Sequence, residues 1–207
     1  MLAPESARRY ANKVERRGER VDRLVVDQCM QLFANYGVPL KPRDTAGGSP
    51  PAPTATPSVA PDTSIGALLT FNEAPLTGSL LFLASFSLMA SCRPAELRRR
   101  ELQVSSAADW ILVRDWTTEL ANQLQGRIRN QLSRRYHLQL PPKSPAALSG
   151  HPLSVVIRGR SKAPVEFSAP NRQTVRLWLE ARLGPIAADR EGQGTGSDPK
   201  EGDVILF

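Results

Sequence analysis

Apolar residues recur along this chain at two different spacings, and each spacing predicts its own element. Between Ser106 and Arg135 they fall at Val113, Trp116, Leu120, Leu124, Ile128 and Leu132, in steps of three or four. That period is one buried face of an amphipathic helix. Ser106 followed three residues later by Asp109 is a capping-box pattern that can satisfy the first free amides of this helix. Val21 to Tyr36 repeats the period with Val21, Leu24, Val25, Cys29, Leu32 and Phe33, and Gly37 and Pro39 close it. Ile65 to Phe71 and Gly78 to Ala84 read as two strands joined by the turn-rich NEAPLT, and Ser85 to Cys92 as a short helix stopped before Pro94. Past the turn residues PPKSP, the β-branched run Leu153 to Arg158 reads as a strand and Val165 to Phe167 as a short one. Thr174 to Arg182 alternates, with Val175, Leu177, Leu179 and Ala181 set against Arg176, Trp178, Glu180 and Arg182. Asn171 and Arg172 are expected to make the turn between these last two strands, and Val204 to Phe207 to add an edge strand. The order of elements predicts an α+β fold, with helices packed on an antiparallel sheet.

Three stretches break the pattern. Residues 1–20 carry Arg8, Arg9, Arg16, Arg17 and Arg20 with Tyr10 as the lone aromatic, so a solvated, partly helical basic extension is a better reading than a nucleic-acid arm. Residues 41–64, KPRDTAGGSPPAPTATPSVAPDTS, hold too little apolar surface to offset their ordering entropy and are expected to be a disordered Pro-rich insertion. Residues 189–203 are polar and glycine-containing, as in a flexible loop. One domain over residues 21–207 is therefore expected.

Composition narrows the classes. With 207 residues at 41% hydrophobic, the chain can bury a sizeable core. The formal charge of +7 is compatible with an acidic partner and equally with plain solubility. Cys29 and Cys92 lack metal-type spacing; a reduced cytoplasmic protein fits, with a single disulfide left open. The N-terminal residues lack the apolar core of a secretory signal, and the most apolar run, Gly78 to Cys92, is too short to span a bilayer. His137 and His151 are the only histidines, which removes multi-histidine metal sites, and GQGTG precedes no helix and fails as a phosphate loop. The basic patch Arg98, Arg99 and Arg100 reads first as a hydrated loop.

The polar side of the long helix carries the chemistry. At roughly 100° per residue, Asp115, Glu119, Asn122, Gly126 and Ser133 fall opposite the apolar face. Glu119 and Asn122, three apart, leave the helix as neighbours, and a glycine one turn further lets another surface approach. The order Asp115-x-x-x-Glu119-x-x-Asn122, followed after 22 residues by Pro145, resembles the signature of the CheC/CheX/FliY chemotaxis phosphatases. The surrounding ELANQLQGRIRNQL is similar to the CheX version of that helix, glycine included, and the resemblance extends from about Val21 to Phe207. Two-site members of that family carry a second Glu-x-x-Asn on their first helix. Here the comparable positions hold Asp27 and Met30, so the chain resembles the single-site CheX type.

The resemblance implies a cytoplasmic phosphatase acting on the aspartyl phosphate of a CheY-like receiver domain. Catalysis then falls to Glu119 and Asn122. Asn122 would orient the attacking water and Glu119 would dock the receiver's lysine, while Asp115, Gly126 and Pro145 support the motif. No cofactor of its own is expected, since Mg²⁺ would arrive with the receiver. A homodimer is implied, and neither nucleic acid nor membrane is expected as a partner. The alternative is a non-catalytic CheX-like adaptor that binds a receiver or another signalling protein.

Overall fold

A computed structural model describes residues 21–43, 63–73, 76–98 and 101–183. Its centre is a hairpin of two ten-residue strands, β2 (Ser64–Glu73) and β3 (Leu76–Ser85), in continuous antiparallel register from Ser64↔Ser85 to Glu73↔Leu76. Around it lie β1 (Lys41–Pro42), β4 (Ala146–Ser149), β5 (Val165–Ser168) and β6 (Thr174–Leu183), giving a six-stranded sheet in the order β1-β5-β6-β3-β2-β4. Each pairing is antiparallel. The expected α+β architecture is the observed one.

Strand alternation divides this sheet into two unequal faces. Ile65, Ala67, Leu69 and Phe71 of β2, Leu80, Phe82 and Ala84 of β3, and Val175, Leu177 and Leu179 of β6 belong to the main core. They share it with the apolar face of helix α1 (residues 21–35), of the short helix α2 (Phe86–Ser91) and of the long helix α3 (Ala107–Tyr136). On the other face, Leu81, Leu83 and Trp178 make a smaller cluster with Leu153 of helix α4 (Gly150–Arg158). Strand β3 reads LLFLA without alternation because both of its sides are covered.

Helix α3 starts where the sequence places it. Ser106 Oγ accepts from the Asp109 amide at 3.2 Å, and the Asp109 carboxylate reaches back past the cap to the Gln103 amide at 2.9 Å. At the other end His137 takes the left-handed conformation (φ 54°), and the amides of His137 and Leu138 bond to the Ser133 and Leu132 carbonyls. That closes the helix as a Schellman-type cap without glycine. Helix α1 ends on Gly37, at φ 78°.

Two expectations need correction. Leu153 to Arg158 is not a strand but the larger part of α4. At helical spacing Leu153, Val156 and Ile157 turn together towards the sheet, and this burial overrides the β preference of Val and Ile. The strand lies just before it, at Ala146–Ser149, paired with Ile65–Leu68 of β2. The ends of the segment expected as a Pro-rich insertion belong to the sheet: Lys41 and Pro42 pair with Ser168 and Phe167, and Ser64 opens β2. The basic extension at 1–20, the body of the Pro-rich insertion at 44–62, Arg99 and Arg100 of the basic patch, the loop at 189–203 and the strand at Val204 to Phe207 lie outside the described residues. Asn171 and Arg172 do make the turn between the last two strands, both at positive φ.

Candidate active site

Helix α3 is held against the sheet by one side only. Val113, Trp116, Leu120, Ala121, Leu124, Ile128 and Leu132 are buried. The opposite side carries Asp115, Glu119 and Asn122, all exposed, and the half-buried Gly126. Since residues three and four apart on a helix share a face, these four form a continuous stripe. It is presented by a 30-residue helix whose back is fixed to the core. Such a support keeps the spacing between its side chains constant when another surface meets them.

The members of the stripe differ in how they are held. Among the described residues Asp115 meets only Arg114 Nε, at 3.8 Å, with both side chains more than half exposed; a pair in that setting contributes little. Glu119 Oε1 accepts a hydrogen bond from Gln123 Nε2 at 2.9 Å. Gln123 Oε1 in turn accepts from the Tyr36 hydroxyl at 2.7 Å, across from the end of α1. The Tyr36 ring stands edge-on to Trp116, centroid to centroid 5.0 Å. Nearby, with the Asn35 amide oxygen facing Arg127 Nη2 at 2.7 Å, its nitrogen donates to the Gln31 carbonyl at 3.1 Å, a second link from α1 to α3. A Cβ built on Gly126 would meet nothing within 4 Å, so packing among the described residues gives no reason for the glycine.

Pro145 stands apart from the stripe. It is buried immediately before β4, a strand that packs under α3. A supporting place in the fold suits it, as a contact residue would need exposure. Gln123 and Tyr36 were not read as site residues from the sequence. For Gln123 the signal was there, at four residues beyond Glu119. For Tyr36 there was none, because its partner is 87 residues away.

Other chemistries find little support. Burial pushes the Cys29 thiol up to about 12. Burial does the same to Cys92, also to about 12, against the smaller pull of Arg98 and Ser91. Both cysteines are free and neither is a thiolate at neutral pH. His137 and His151 are exposed, at the end of α3 and the start of α4. Among the described residues no three His, Cys, Asp or Glu side chains gather as a metal ligand set, and no helix is long and apolar enough to cross a membrane. A cleft of about 470 Å³ at the far end of α3, lined by Arg129, Asn130, Ser133 and Gln139 among others, continues the stripe beyond Gly126. What the stripe offers is a carboxylate and a carboxamide, side by side and open to a partner.

No protein-family model matches this chain, and no curated protein matches it by sequence. Solved structures do match it. The chemotaxis protein CheX from Vibrio vulnificus is 13% identical, with 76% of this chain and 93% of that one covered and a TM-score of 0.50. A chain of the CheX–CheY–BeF3–Mg²⁺ complex from Borrelia burgdorferi is also 13% identical, with 78% and 95% covered and a TM-score of 0.53. The chain has the fold of CheX-type chemotaxis proteins.

Proposed function

We propose that this chain is a phosphatase for the aspartyl phosphate of a CheY-like receiver domain. The observation that carries this reading is the pairing of Glu119 and Asn122 on one exposed stripe of α3. The fold around that helix is similar to one solved in complex with CheY, BeF3 and Mg²⁺. An acyl phosphate has a carboxylate as its leaving group, so hydrolysis needs no strong acid to assist departure. It needs a water held in line with phosphorus and the negative charge neutralised.

Asn122 suits the first task. Its carboxamide donates and accepts hydrogen bonds but takes no proton near neutral pH, so it can hold a water without being a base. The water oxygen forms the new bond to phosphorus while the bond from phosphorus to the aspartyl oxygen breaks. Inorganic phosphate leaves, the receiver regains its aspartate, and the water proton passes to phosphate and solvent. Charge neutralisation is the receiver's own, through its Mg²⁺ and its lysine. Glu119 pairs with that lysine and sets the dock, which places Asn122 at the phosphorus. Gly126 leaves the helix low where the receiver's surface crosses it.

The test is phosphate release from a panel of phosphorylated receiver domains. Wild type is expected to accelerate loss from at least one of them. Asn122→Ala is expected to lower that acceleration by about 100-fold, the scale at which lost positioning is felt, with binding nearly unchanged. Glu119→Ala removes a charge-assisted contact, so binding should fall by about 10-fold or more. Full activity in Asn122→Ala would refute the assignment. Binding without acceleration of any receiver would make the chain a non-catalytic adaptor instead.

A further inference from the structure

We propose that Gln123 and Tyr36 are positioning residues for Glu119, forming a relay that fixes the docking carboxylate from the end of α1. This rests on the phosphatase reading above and adds to it a determinant outside the Glu-x-x-Asn motif. An exposed glutamate on a helix samples several rotamers and loses that freedom whenever it engages a partner. Here the freedom is already restricted. Gln123 Nε2 donates to Glu119 Oε1 at 2.9 Å, and the amide that does so is itself fixed, because the Tyr36 hydroxyl donates to its Oε1 at 2.7 Å.

The order of donors matters. A glutamine amide can present either its oxygen or its nitrogen to a neighbour. With Tyr36 occupying the oxygen, the nitrogen faces the carboxylate. Reversed, the amide oxygen would face Glu119 and repel it. The Tyr36 ring is anchored in turn by its edge contact with Trp116, a buried residue of α3. The carboxylate is thus tied through two side chains to the junction of α1 and α3. A single neutral donor on Oε1 leaves a carboxylate with acceptor sites to spare for an incoming ammonium group. The relay therefore orients Glu119 without using it up.

The experiment is a double-mutant cycle on the full chain, read against a beryllofluoride-loaded receiver for affinity and a phosphorylated one for turnover. Tyr36→Phe removes one hydroxyl and keeps the ring on Trp116. Gln123→Ala shortens a half-exposed helix residue and should fold. Each is expected to weaken receiver binding by about 3- to 10-fold, the range of one net hydrogen bond, and to raise KM with kcat little changed. In a Glu119→Ala background neither should weaken binding further, because the group they position is gone. Losses that add to Glu119→Ala, or binding unchanged by both variants, would overturn the relay.

A second measurement needs no receiver. The side-chain amide signals of Gln123 in ¹⁵N-edited NMR spectra should shift on Tyr36→Phe and again on Glu119→Ala. Signals indifferent to both would overturn the relay by themselves. Failure of wild type to bind any receiver would instead strike the functional reading, and with it the docking role assigned to Glu119.

Discussion

Gly126 costs helix α3 stability that no contact among the described residues requires. A glycine within a helix is worse than alanine by about 1 kcal/mol, and here the added methyl would enter open space. Gly78 is the contrast: it sits at φ 126°, and a Cβ there would run into the Glu180 carbonyl oxygen. Gly126→Ala should therefore stabilise the protein by about 0.5–1 kcal/mol in urea denaturation, while a docking stripe predicts weaker receiver binding from the same protein. A variant that gains stability and keeps full binding would remove Gly126 from the interface. The glycine, Glu119 and Asn122 were legible in the sequence because helical phase alone assigns them a face. The relay behind Glu119 was not, since the Tyr36–Gln123 bond depends on how α1 packs beside α3.

At the scale of elements, legibility followed the strength of the period. Helices α1 and α3 hold apolar residues on one face for two turns or more, β2 and β6 alternate, and β3 is an apolar run bounded by turn residues; all five were predicted with ends close to those observed. Helix α4 was misread because nine residues with Val155, Val156 and Ile157 together look like a buried strand. Strands β1 and β4 escaped because two residues, or the sequence AALS, carry no alternation to see. The segment after α4 is fastened by Glu180 of β6. Its Oε1 accepts from the amides of Ser161 and Lys162 at 2.6 and 3.2 Å and from Ser161 Oγ at 3.0 Å, while Oε2 meets Arg160 at 3.2 Å. Burial raises the pKa of this carboxyl, but these donors and the Arg160 charge together outweigh it and leave it below the usual carboxylate value. A carboxylate lowered in the folded state stabilises it above its unfolded pKa, about 4.3, and that contribution disappears as pH falls through the folded value. Glu180→Gln should accordingly be less stable than wild type at about pH 7, with the gap closing towards about pH 3 in parallel urea titrations. A gap of constant size would mean that the ionisation of Glu180 contributes nothing to stability.

Among the described residues the two faces of the sheet are covered unequally. One lies under α1, α2 and α3, whereas the other has the nine residues of α4 over Leu81, Leu83 and Trp178. Leu153 is the one residue of α4 that is fully buried; Val156 and Ile157 are partly covered and Val155 is 54% exposed. Gly66 makes room for this packing, since a Cβ there would run into the Phe82 carbonyl oxygen and come within 3.3 Å of a Leu153 methyl group, but α4 still leaves Val155 exposed. Exposed apolar surface that is contiguous with a buried cluster favours association. We propose that a second copy of the chain covers it. Light scattering coupled to gel filtration is expected to give about twice the 22.7 kDa of one chain at protein concentrations of tens of micromolar. Val155→Asp should shift that mass towards the monomer without unfolding it, because the residue is solvent-exposed and most surface substitutions are mild. The stripe of Glu119 and Asn122 belongs to α3, on the main-core side of the sheet, so the separated variant should retain receiver dephosphorylation. A wild-type monomer would mean that α4 suffices to cover this face. A monomeric variant without activity would mean that the second copy helps to build the site.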